Sequence, residues 1–130
     1  MPPLHPMLVH FPIAFLVLEL FLIIRWARTG DAAYERFARL VFFLAFFCML
    51  GALASGYREA TEQGHKIQGA VARHYYAALT LFFFTTLRLF QWRSVKPGLT
   101  VPPALLTAAS AAGVLLMAAA AFLGGRLVYS

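Results

Sequence analysis

From Met7 to Ile24 the chain runs MLVHFPIAFLVLELFLII, with Glu19 as the only charged side chain. A helix of about 20 mainly apolar residues crosses the hydrocarbon core of a bilayer, and a run of this kind is hard to bury in a small soluble domain. Three further stretches share the pattern. The sequence therefore predicts four transmembrane helices, at about 7–25, 39–57, 73–91 and 103–124. The third is bounded by Arg73 and Arg88, whose long side chains can snorkel toward the interface. The fourth follows Pro102-Pro103, whose imide nitrogens suit a helix start.

Composition agrees. At 62% hydrophobic and 12% charged, 130 residues carry too little polar side chain to cover a soluble core. Short connections make consecutive spans antiparallel. The expected architecture is an all-α membrane protein, a single domain over residues 1–130 built as an up-down-up-down four-helix bundle.

In a soluble protein a net charge of +6 would suggest nucleic acid. Here the cations sit in short loops and orient the chain instead. Arg25, Arg28, Arg36 and Arg39 follow the first span, and Arg88, Arg93 and Lys96 the third. Arg58, Lys66, Arg73 and Arg126 lie on the other side. That asymmetry places both termini outside, on the periplasmic face of a bacterial inner membrane. Trp26 and Trp92 would then mark the inner interface, and Tyr57, Tyr75, Tyr76 and Tyr129 the outer one. No basic helix with interleaved aromatics is present, which excludes nucleic-acid binding. Cys48 is the sole cysteine, so no internal disulfide and no C-x-x-C-H haem attachment can form. No Lys or Arg precedes the first apolar run, which reads as a retained anchor rather than a cleaved signal.

All four histidines fall at one end of these spans. His5 and His10 open the first helix, His65 lies between the second and third, and His74 opens the third. Helices one and three run parallel as diagonal partners, so His10 and His74 are the expected axial pair for the iron of one haem b. Gly51, Ala52, Ala54, Ser55 and Gly56 on one flanking helix leave room for a porphyrin. Ala118 to Ala121, Gly124 and Gly125 do the same on the other. Arg58, Lys66, Arg73 and Arg126 would neutralise its propionates. A second haem would need His5 and His65. Two other readings compete: copper held by His5, Met7 and His10 with His65, or no cofactor, with small residues serving helix packing and the histidines as interface anchors. Glu19, midway through the first span, is a candidate for proton or quinone chemistry, or for a hydrogen bond to Thr80, Thr85 or Thr86.

The opening LHPMLVHFPIAF and the close GGRLVYS resemble a DUF2231-like bacterial family of small predicted membrane proteins of unknown function. His5, Pro6, His10, Phe11 and Pro12 match its HPxxVHFPIA opening. Gly124, Gly125, Leu127, Val128 and Tyr129 match its GGxLVY close, with Arg126 standing where the family carries an acidic or polar residue. The resemblance spans the chain and implies a four-helix inner-membrane protein associated with cytochromes.

No H-E-x-x-H, nucleophile elbow or phosphate-cradling loop occurs. No span is broken at mid-membrane and no inverted repeat is apparent, which leaves a transporter without support. The expected role is a b-type electron-transfer subunit rather than a stand-alone enzyme, working between the quinone pool and a periplasmic cytochrome or larger redox complex. The alternative is a non-catalytic accessory subunit of a respiratory or photosynthetic assembly.

Overall fold

The computed structural model describes residues 4–64, 66 and 68–129, with 128 and 129 by their backbone only. His65 lies outside the described residues. The elements are α1 (Leu4–Leu8), α2 (His10–Thr29), α3 (Ala32–Glu62), α4 (Gly69–Ser94) and α5 (Ala104–Tyr129). No strand occurs among the described residues.

Local chemistry sets the boundaries. Pro12 has no N–H to give the Leu8 carbonyl, and its ring crowds that carbonyl, so the first helix breaks at Val9. The run stays nearly continuous, because the Val9 N–H still donates to His5 at 3.1 Å. Gly30 ends α2 in the left-handed region (φ 69°), its N–H donating to the Trp26 carbonyl. Asp31 then caps α3 by accepting from the Ala33 N–H at 2.9 Å. At 31 residues, α3 outruns the expected span at both ends. Ion pairs one turn apart, Glu35 with Arg39 and Arg58 with Glu62, support those polar turns.

The long helices pack α2 on α3, α3 on α4, α4 on α5 and α5 back on α2. Neighbours run antiparallel, as their end-to-end contacts require. The start of α1 meets the end of α3 where the Glu59 carboxylate accepts the His5 N–H at 2.8 Å. At the opposite end, Arg39 donates to the Trp92 and Val95 carbonyls at 2.7 and 3.1 Å, satisfying the last turn of α4.

Three stretches are long and apolar enough to cross a membrane: Leu4–Thr29, Ala32–Glu62 and Ala104–Leu127. The 26-residue α4 is long enough but less apolar, since it carries three threonines, Arg88 and Gln91. The outside of the molecule is greasy. Phe21, Phe47, Phe83, Phe90, Phe122 and Leu115 are each more than half exposed, while Glu19, Thr85, Arg88 and Ser110 are buried. That distribution suits lipid as the solvent, and the protein is an all-α membrane protein.

Two expectations fail here. Trp26 and Trp92 form no interfacial belt; both are fully buried, because each indole N–H has a fixed acceptor inside the protein. Trp26 donates to the Leu99 carbonyl at 2.8 Å and Trp92 to Glu19 at 2.7 Å. Arg88 does not sit in a loop after the third span but lies on α4, six residues before its end, facing the interior of the bundle. It therefore leaves the count of orienting loop cations.

Candidate metal centre: two facing histidines

The histidine facing His74 is His5. Their ring centroids are 6.1 Å apart, with planes inclined at 66°. His10 does not join them: it is exposed, and its Nδ1 is bonded to the Pro6 carbonyl one turn back at 2.7 Å. The expected His10–His74 pair is corrected accordingly. The cause is the short α1 turn, which carries His5 inward against α3 while His10, on the first turn of α2, points away from the bundle.

The two rings are held alike. Nδ1 of His5 lies 2.8 Å from the Ala52 carbonyl and 3.2 Å from the Ser55 hydroxyl. Nδ1 of His74 lies 3.0 Å from the Ala120 carbonyl. A carbonyl can only accept, so each Nδ1 carries the proton, and in the neutral ring Nε2 keeps its lone pair. Neither Nε2 has a hydrogen-bond partner among the described residues. Metal-binding histidines show this arrangement: the second nitrogen donates to a carbonyl, which fixes the tautomer and aims the ring.

Each ring also rests on a glycine. A Cβ at Gly56 would lie 2.9 Å from Cε1 of His5, and one at Gly124 2.8 Å from Cε1 of His74. Carbonyl and glycine stand one turn apart, Ala52 with Gly56 on α3 and Ala120 with Gly124 on α5. Two of the small residues expected to make room for a porphyrin thus seat the imidazoles. Gly51 and Gly125 face open space.

The expected cations are spread around this end. Arg58 is paired with Glu62 at 2.8 Å, and Lys66 is exposed. Arg73 and Arg126 line a cleft of about 160 Å³ with Ala70, Leu123 and Leu127, between α4 and α5. Among the described residues, no cluster of three or more His, Cys, Asp or Glu side chains forms a metal cage.

Glu19 belongs to a different site, nearer the other end. Its Oε1 accepts from Arg88 Nη1 at 2.8 Å and the Ser110 hydroxyl at 3.0 Å. Its Oε2 accepts from Arg88 Nη2 at 2.7 Å and Trp92 Nε1 at 2.7 Å. The Arg88 guanidinium also lies 4.8 Å from the centre of the Phe42 ring. The three threonines expected as partners are occupied elsewhere. Thr80, Thr85 and Thr86 each donate to the carbonyl one turn back on α4, at 2.7–2.9 Å. Four donors saturate the carboxylate, so Glu19 fastens α2 to α4 and α5.

Sequence reasoning missed the pairing of His5 with His74. A signal for it exists: His5 and His74 are 69 positions apart, and the Ala-x-x-x-Gly of 52–56 returns at 120–124.

The chain belongs to the family described as "Predicted membrane protein (DUF2231)", whose profile matches residues 1–130. Comparison with curated proteins and with solved structures gave no match.

Proposed function

We propose that this protein is a membrane-embedded electron-transfer subunit with one haem b, ligated by Nε2 of His5 and Nε2 of His74. The observation that carries this reading is the facing pair with both Nδ1 groups tied to carbonyls. The rings stand 6.1 Å apart. His5 and His74 would hold the iron, and a porphyrin would bring the further nitrogen ligands, since no third histidine, cysteine or carboxylate joins them among the described residues. When bound, the iron supplies one-electron chemistry. The chain's residues hold both axial rings in one tautomer, and Arg73 and Arg126 offer cationic partners for propionates at the adjoining cleft.

In this reading α4 crosses the bilayer as a fourth span. Both terminal nitrogens of its buried Arg88 are paired with Glu19, and its threonine hydroxyls bond to their own helix, so these groups need no partner from lipid. With Arg88 removed, the Trp26 end still carries Arg25, Arg28, Arg36, Arg39, Arg93 and Lys96, on the helix ends and the α4–α5 connection, against Arg58, Lys66, Arg73 and Arg126 at the other end. That excess supports a histidine end on the outer face of the inner membrane. There it would exchange electrons with a periplasmic cytochrome or larger redox complex, and draw them from quinone.

The test is haem uptake by the purified protein in mild detergent, read by the dithionite-reduced minus oxidised spectrum with haem quantified per chain. One haem per chain with a sharp low-spin b-type α-band is the expected result. A folded protein that takes up copper alone, or nothing, overturns the haem assignment.

A further inference from the structure

We infer that the chain is a direct tandem repeat of one helical hairpin, and that the buried layer around Glu19 and Arg88 makes the two halves complementary rather than identical. This goes beyond the cofactor reading and does not depend on it.

The repeat shows first in register. Stepping 69 positions takes α1 and α2 onto α4, and 68 positions take α3 onto α5. His5 maps to His74, Ala52 to Ala120 and Gly56 to Gly124, so each hairpin carries the same imidazole, carbonyl and glycine. Every buried position of α2 and most of those of α3 follow the same steps. Leu16, Glu19, Ile23 and Trp26 map onto Thr85, Arg88, Trp92 and Val95, all buried. On the partner helices, Ala38, Phe42 and Met49 map onto Leu106, Ser110 and Met117, again all buried.

A spacing of alternating three and four residues is common to antiparallel bundles and would align at some offset by itself. What that spacing does not explain is that the histidine contacts and the ion pair fall at the same offsets. Contacts map along with residues. The contact of Glu19 with Ser110 between the hairpins corresponds to that of Arg88 with Phe42, and the structure holds both.

The two halves thus meet about a pseudo-two-fold axis along the bundle. The His5–His74 contact lies on this axis at one end, and the Glu19–Arg88 pair lies on it deeper in the molecule. Had both hairpins kept glutamate, or both arginine, two like charges would face each other in the interior. Opposite charges at equivalent positions make the first hairpin pair with the second in preference to a copy of itself. The seat of a ligand between His5 and His74 is built from two equivalent halves.

An exchange of layers in the full-length protein tests the repeat without any ligand. One variant swaps only the charges, Glu19→Arg with Arg88→Glu. A second adds their mapped neighbours, Ile23→Trp with Trp92→Ile and Phe42→Ser with Ser110→Phe. Thermal unfolding in detergent is followed by helical circular dichroism. In a repeat the six-residue exchange rebuilds each contact in the opposite hairpin, so it unfolds at a higher temperature than the two-residue exchange. If it unfolds at the same temperature or lower, or fails to fold where the two-residue variant folds, the halves are not equivalent and the inference falls.

Discussion

Glu19 and Arg88 meet in the interior through two parallel hydrogen bonds of 2.8 and 2.7 Å, with both side chains at most 3% exposed. Removing one member of such a pair leaves a buried charge without its partner and costs about 3–5 kcal/mol. Glu19→Leu and Arg88→Leu should each lower the unfolding temperature in detergent steeply. The double variant, which buries no lone charge, should lose less than either single one. Losses that simply add would show that the two side chains do not act as a pair.

Gly56 and Gly124 are fixed by what lies against them. Gly124→Ala would put a methyl 2.8 Å from Cε1 of His74, pushing the ring off its bond to the Ala120 carbonyl. Cofactor affinity should fall by tenfold or more, about 1.4 kcal/mol. Gly51→Ala, where a Cβ meets open space, should leave affinity unchanged. Titration of both variants with haem checks the difference.

Glu59 holds the α1 turn in place by accepting the His5 N–H. Glu59→Gln keeps an oxygen acceptor there, and Glu59→Ala does not. The alanine variant should release α1 and weaken ligand binding while overall helix content stays constant. The glutamine variant should retain most of the binding. Equal losses in the two would mean that the charge, not the tether, is what matters.

Trp26 ties the α4–α5 connection to α2 through the Leu99 carbonyl. Trp26→Phe keeps the ring in the core but loses that bond, worth about 1 kcal/mol. Proteolysis between Val95 and Pro103 should become faster, with no effect at the histidine end.

Much of this architecture was legible in the sequence. Long apolar runs and the Pro102-Pro103 start announce helices in lipid, whereas the Gly30 and Asp31 caps that carry α2 and α3 beyond the expected spans went unread. Trp26, Trp92 and Arg88 were misread for one reason. Composition near the end of a span suggests an interface, but acceptors inside the protein decide where their donors go, Glu19 for Trp92 and Arg88 and the Leu99 carbonyl for Trp26, and that depends on helix rotation. His10 looked the better ligand because it opens the regular helix. The inward turn of α1 comes from Pro12 two residues later, acting on Leu8. The recurrence of Ala-x-x-x-Gly at matched distances from two histidines was present throughout. It carries meaning only once the hairpins are seen to pack about a common axis.

The most direct measurement is the visible spectrum of haem-loaded protein carrying His5→Ala, His74→Ala or His10→Ala. The low-spin b-type band should vanish in the first two variants and persist in the third. A band that survives His5→Ala and is lost in His10→Ala would contradict the facing pair as the haem site.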